Sequence, residues 1–183
     1  MRRGLANEDV FSVPGERGIW IDGSEATTTY GNVVSGNTVS GAEEGFEFRY
    51  MDDSKISGNR AVGNHGPGIQ LGDSSSGNDV VNNTIVGNRE GITLVTDATL
   101  NLVSGNRIQG NENAVIVVTE WSTANTIKKN RIRDNGIGFE AHGESPDNSV
   151  EKNKFCHNDW PWRNSGDSDP TFYIDNKVCG PGR

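Results

Sequence analysis

Residues 80–95, "VVNNTIVGNREGITLV", set three asparagines among short β-branched runs. Asn83 has Val80 three residues before it, Ile85 two residues after it and Asn88 five residues after it. The arrangement recurs in both directions along the chain. The anchors are Asn37, Asn59, Asn83, Asn106, Asn130 and Asn153, at intervals of 22, 24, 23, 24 and 23 residues. Val34, Ile56, Val80, Val103, Ile127 and Val150 precede them, and Val39, Ala61, Ile85, Ile108, Ile132 and Phe155 follow them. A further apolar pair opens each repeat: Ile19/Ile21, Phe46/Phe48, Ile69/Leu71, Ile92/Leu94, Val115/Val117 and Ile137/Phe139. Period two within a pair marks a strand whose two apolar residues point inward.

A repeat of this length holding three short strands is one coil of a β-solenoid. Stacked in register, each strand pairs in parallel with its equivalents about 4.8 Å above and below. Like residues then form columns, which accounts for the asparagines. Asn accepts the left-handed turn geometry that β-branched residues resist, and its amide can bond the Asn of the next coil as an asparagine ladder. Six coils make a rod about 29 Å long.

Composition agrees. The 183 residues suit one domain, with 24 Gly and 21 Asn arguing against long helices. Only 32% of residues are hydrophobic and mean hydropathy is −0.64, which implies a thin, regular core. Net charge is −8 and pI about 4.9, and no Lys/Arg cluster appears beyond "KKNRIR", so nucleic acid is not the expected partner. No apolar run approaches the length of a membrane span, and "MRRGLANEDV" lacks the apolar stretch of a signal peptide. Cys156 and Cys179 suit either a disulfide in an exported domain or two buried thiols. A secreted or cell-surface setting is the expectation, with the cytoplasm as the alternative.

The pattern G-[IFV]-x-[LFV]…N-x-[VI]-x-x-N-x-[IV]-x-x-N, as in "NDVVNNTIVGN" and "NTIKKNRIRDN", resembles the right-handed parallel β-helix repeats of the pectin-lyase-like superfamily. The resemblance spans residues 18–158. It implies an all-β, right-handed parallel β-helix, with residues 1–17 and 159–183 expected as terminal caps. It also implies a carbohydrate-active protein, a class that includes lyases, epimerases and hydrolases, although fold alone does not decide activity. Neither an epimerase-type catalytic run nor a polygalacturonase constellation is present.

If inward positions are core, chemistry belongs to outward positions and to the loops after each first strand. Asp97, Glu120 and His142 stand three residues past the second inward residue of successive coils and are expected to form one row, able to supply acid and base catalysis. A second group is Glu47, Arg49, Tyr50, Asp52 and Asp53, joined by Gln70 and Asp73. In the lyases that the chain resembles, an Arg, Lys, Tyr or His takes the proton α to a uronate carboxylate while Ca²⁺ or Arg neutralises that carboxylate, which implies Arg49 or Tyr50 as base or charge clamp. Asp52, Asp53 and Asp73 offer oxygen ligands that suit Ca²⁺. By alternation Val95, Ile116 and Val118 are expected to face outward with Thr93, Trp121 and Glu140, as a groove for a substrate with an apolar face or a contact between subunits. The expected function is a glycan-acting enzyme using the first sheet. The alternatives are a non-catalytic glycan-binding or assembly module, or a cyclase or isomerase acting on a small metabolite.

Overall fold

The computed structural model describes residues 5–7, 10–12, 16–165 and 171–180. Their regular elements are all strands, wound into a parallel β-helix with three long sheets. The first sheet stacks Ile19–Asp22, Phe46–Arg49, Pro67–Gly72, Glu90–Leu94, Ile116–Val118, Ile137–His142 and Trp160–Ser165. The second runs from Leu5–Asn7 to Phe172–Ile174, and the third from Val10–Ser12 to Lys177–Cys179. Every pairing in the three sheets is parallel and joins equivalent positions of successive coils, for example Ala61 with Ile85 and Ile85 with Ile108.

The strands are short because each coil must turn three times. Two of the turns repeat a residue in the left-handed region followed by Asn: Gly105 (φ 69°) before Asn106, and Asp134 (φ 57°) before Asn135. Each Asn then bonds along the rod. The Asn106 Oδ1 accepts the Asn83 backbone N–H (2.8 Å) and Nδ2–H (3.1 Å), while its own Nδ2–H groups reach the Val80 carbonyl (2.9 Å) and the Asn130 Oδ1 (3.1 Å). Turn amides that the narrow interior would otherwise strand are satisfied coil by coil. A third column, Asn32, Ser54, Asn78, Asn101, Asn125 and Asn148, bonds in the same way before the second sheet.

One expectation is corrected here. Ile116 and Val118 do not face outward: both are wholly buried in the core, and Val117 takes the outward place between them. Register decides this, since Ile116 pairs with Ile92 and Val118 with Leu94. The run Ala114–Val118 is apolar throughout and carries no alternation of its own, whereas the other coils from Gly18 to Gly138 are phased by a glycine. At Gly91 an added Cβ would lie 2.2 Å from the Val115 carbonyl oxygen, so this column admits glycine where the backbones close in. The next coil is phased likewise by Gly138, which makes Phe139 and Ala141 the inward pair and leaves Ile137 half-buried.

The ends carry strands of the same sheets. Leu5–Asn7 and Val10–Ser12 pair in parallel with the following coil, and Trp160–Ser165, Phe172–Ile174 and Lys177–Cys179 add a coil at the other end. The segments expected as caps therefore continue the stack, with the rest of residues 1–15, 166–170 and 181–183 lying outside the described residues. Trp162 packs on Tyr173 (5.2 Å between ring centroids) and edge-on to Phe155 (5.7 Å), closing the core under this last coil. Cys156 and Cys179 face each other across adjacent strands and form a disulfide.

Candidate functional site

Outward positions of the first sheet make two columns. One runs Trp20, Glu47, Gln70, Thr93, Val117, Glu140, Arg163, and the other passes through Asp22, Arg49, Gly72 and, further on, Ala141's neighbour His142. Glu47 and Glu140 point away from the core yet are only 1% and 4% exposed, because long cationic side chains lie over them. Four steps of about 4.8 Å put them roughly 19 Å apart along the rod.

At the N-terminal end Arg49 holds Glu47 Oε1 through Nε (2.7 Å) and Nη2 (2.6 Å), and Arg17 Nε makes a charge contact with Oε2 (2.5 Å). Asp73 lies 3.5 Å from Arg49 Nε. Burial pulls the Arg49 pKa down, but Glu47, with Asp73 and Asp22, outweighs it and the net shift is upward. Arg49 is therefore held as a cation, placed to clamp charge. Burial, with Asp73 and Glu25, raises the Tyr50 phenol, so its proton is held more tightly than usual.

At the C-terminal end Arg163 forks onto Glu140 Oε1, its Nε donating at 2.5 Å and its Nη2 closer still, while His142 Nε2 lies 3.2 Å from Glu140 Oε2. These three residues line a basin of about 450 Å³ with Glu90, Val117 and the exposed Trp160. Burial pushes the Glu90 carboxyl up, and the charge of Glu140 adds to the rise against the opposing pull of Arg89 and His142. A carboxyl whose proton is held more tightly than usual, in one basin with an imidazole oriented by a carboxylate, is the kind of pair that supplies a proton donor and a proton acceptor in one site. The shift has a stability consequence. Because the folded pKa lies above the ordinary value of 4.5, the contribution of Glu90 to stability is full below that value and is lost as pH rises through the folded pKa. Thermal melts should therefore show Glu90→Gln no less stable than the parent near neutrality, with its relative advantage disappearing as pH falls toward 4.5. A parent that gains stability relative to Glu90→Gln on going from acid to neutral pH contradicts the assignment.

Asp97 and Glu120 are on adjacent coils, joined by the Asp97 N–H and the Glu120 carbonyl (2.9 Å), and both side chains are exposed on left-handed turn residues. Glu120 Oε2 accepts from the Thr96 hydroxyl (2.6 Å). His142 does not complete that row as an equivalent position. It belongs to the strand Ile137–His142, directly after Ala141, which pairs with Val118. The imidazole stands on the ridge between the Glu90–Arg163 basin and a second basin of about 450 Å³ lined by Glu120, Trp121 and Glu144. Thr93 is buried and donates to Gln70 Oε1 (3.2 Å), and Gln70 Nε2 is 3.5 Å from Glu47 Oε1, so a polar chain covers the groove floor. Val95 is half-buried and Trp121 exposed, but the expected apolar patch lacks its two central members, Ile116 and Val118.

The three aspartates do not converge. Asp52 Oδ1 accepts from the Ser76 backbone N–H (2.8 Å), Asp73 faces Arg49 and Asp53 is exposed on its turn. Burial raises the Asp52 carboxyl, with Asp53 adding to the rise and the Ser76 bond opposing it. Among the described residues no group of three or more His, Cys, Asp or Glu side chains is placed to hold an ion. The residues that sequence reasoning missed are Glu90, Val117, Trp160 and Arg163. One signal was available: "PWRNS" repeats the step of "GFEAH", and the register confirms it by pairing Phe139 with Trp162 and Glu140 with Arg163.

Comparison with known proteins gives a fold and a family. No curated protein sequence matches the chain. Among solved structures it is similar to the periplasmic alginate epimerase AlgG, at 20% identity and a TM-score of 0.73 over 96% of this chain and 43% of that one. It is also similar to the Azotobacter vinelandii mannuronan C-5 epimerase AlgE6 A-module, at 15% identity and a TM-score of 0.57 over 84% of this chain and 59% of that one. The chain thus spans about half the length of these structures, and at such identities the likeness is one of fold. In sequence, the profile of the family described as periplasmic copper-binding protein (NosD) matches residues 12–178, and the chain belongs to that family.

Proposed function

We propose that the protein is a carbohydrate-acting enzyme whose reaction is proton transfer at a sugar carbon, of the epimerase or lyase type, on an acidic glycan lying along the first sheet. The observation that carries this reading is the Glu140–His142 pair at 3.2 Å, sharing a basin with Glu90, whose carboxyl is raised. In this reading Glu140 orients the imidazole, His142 exchanges the proton α to a uronate carboxylate, Glu90 serves as proton donor, and Arg163 counters the carboxylate charge. Trp160, exposed at the rim, offers a stacking face to a sugar ring. The fold shared with two alginate or mannuronan epimerases supports the same substrate class. An extracytoplasmic setting is supported by the Cys156–Cys179 disulfide and by the periplasmic descriptions of the family and of AlgG.

The residues present do not fit a copper centre. Copper takes thiolate, thioether and imidazole donors. Here both cysteines are in the disulfide, Met51 is sealed in the core, and His65, His142 and His157 form no cluster among the described residues. No step is therefore assigned to a metal.

The reading is tested by incubating the protein with oligouronates in deuterated water and following the C5 position by NMR. Deuterium at C5 with inversion, or loss of the C5 proton with chain cleavage to a 4,5-unsaturated sugar, is expected. Binding without exchange would replace the enzyme by a glycan-binding module, and neither binding nor exchange would remove acidic glycans as the substrate class.

A further inference from the structure

The third sheet carries a feature that the groove chemistry does not use. Arg107 pairs in register with Arg131, Arg131 with Lys154 and Lys154 with Lys177. All four are exposed, so four cations stand in single file at about 4.8 Å steps on a chain whose net charge is −8. Like charges directly opposite on neighbouring strands oppose folding. Among the described residues, Arg131, Lys154 and Lys177 form no ion pair with a carboxylate. The flanking column offers little compensation. Arg133 and Arg107 share Gln109 Oε1 (2.8 and 3.1 Å), and Asp134 lies 3.5 Å from Arg133 and 3.4 Å from His157. Arg107, Arg131, Arg133, Lys154 and His157 border a basin of about 500 Å³ on this face. The Cys156–Cys179 disulfide ties the last two strands together and holds the column in register.

We propose that this column is an anchoring site for a linear acidic polysaccharide, separate from the first-sheet groove and independent of whether that groove is catalytic. The spacing selects the partner. An extended 1,4-linked uronate chain bears one carboxylate per ring and advances by about one ring per coil rise of roughly 4.8 Å. A single carboxylate laid beside each cation matches such a polymer running along the rod. Double-stranded DNA instead presents a charge about every 1.7 Å of axis from two strands, which calls for a broad basic face. Single strands are held by base stacking on aromatic rings, and the outward positions of this sheet between Thr38 and Lys177 hold none. Each exposed pair is weak alone, but four on one polymer bind as a multivalent set, so affinity depends on chain length and on salt.

The test is amide NMR of the whole chain with uronate oligomers of about two and about eight sugars, a neutral oligosaccharide of equal length and a single-stranded DNA of equal charge. The octamer should shift the amides of the strands Arg107–Gln109, Arg131–Arg133, Lys154–Cys156 and Lys177–Cys179. At equal sugar concentration the dimer should not, and about 0.5 M salt should abolish the shift. Arg131→Glu with Lys154→Glu should weaken octamer binding at this face at least about tenfold, and Lys154→Ala by a smaller factor, with first-sheet shifts retained. Shifts confined to the first sheet, unchanged third-sheet shifts in the double variant, or tighter binding of the DNA would each overturn the proposal. The first of these outcomes leaves the groove reading standing, so the two fail separately.

Discussion

Ile85→Asp is expected to abolish cooperative folding, leaving no sigmoidal transition in thermal or urea melts followed by circular dichroism at the β-sheet minimum. Ile85 is wholly buried on the third sheet, paired with Ala61 on one side and Ile108 on the other. Its Cγ2 lies 2.7 Å from where the Cβ of any residue replacing Gly68 would fall, so Ile85 packs directly against the backbone of the first sheet. An ionised carboxylate there would have no partner, and the several kcal/mol this costs is comparable with the whole stability of an ordinary domain. Ile85→Val, which removes one methylene and no register, should cost only about 1 kcal/mol and keep the transition. A cooperative melt in the aspartate variant, at any temperature near the parent's, would mean that Ile85 is not in the core.

His142→Ala should lower deuterium exchange at C5 by about 10²–10⁴-fold, the range for losing a positioned proton-transfer group, while the melting temperature stays near that of the parent. The imidazole is half-exposed on the groove face and contributes no core packing, which is why activity and stability separate. Glu90→Gln should reduce the rate by a similar order through loss of the donor. Glu140→Gln should reduce it less, because it disturbs the imidazole and Arg163 without removing either. Asp97→Asn and Glu120→Gln should leave the rate within about a factor of two, since both carboxylates lie on exposed turns and neither lines the Glu90–Arg163 basin. Retained exchange in His142→Ala together with its loss in Asp97→Asn would move the centre to that turn. Loss in Arg49→Lys alone would move it to the N-terminal end of the groove.

The fold was legible in the sequence because a solenoid is governed by nearest neighbours. Each coil repeats the same local requirements, apolar residues at fixed offsets and a left-handed residue before Asn, so the interval between asparagines carries the architecture without any long-range information. Val80, Ile85, Val103 and Ile108 are core for the reason that the spacing of Asn83 and Asn106 implies. Where a coil lost its punctuation, local reading lost the phase. Ala114–Val118 is apolar at every position, and only pairing with Ile92 and Leu94 turned Val117 outward and sealed Ile116 and Val118 inside. The site followed from that same register. Glu47 and Glu140 look in sequence like solvated acids on outward positions, and only the stacking of coils brings Arg17 and Arg49 over the first and Arg163 and His142 onto the second. The sequence by itself therefore determined the repeat, the sheets and most of the core, since those rest on contacts between equivalent residues of adjacent coils. Only the tertiary structure decided which outward charges face one another, because that depends on the phase of each first strand to a single residue, and a one-residue slip moves a side chain from the groove to the core.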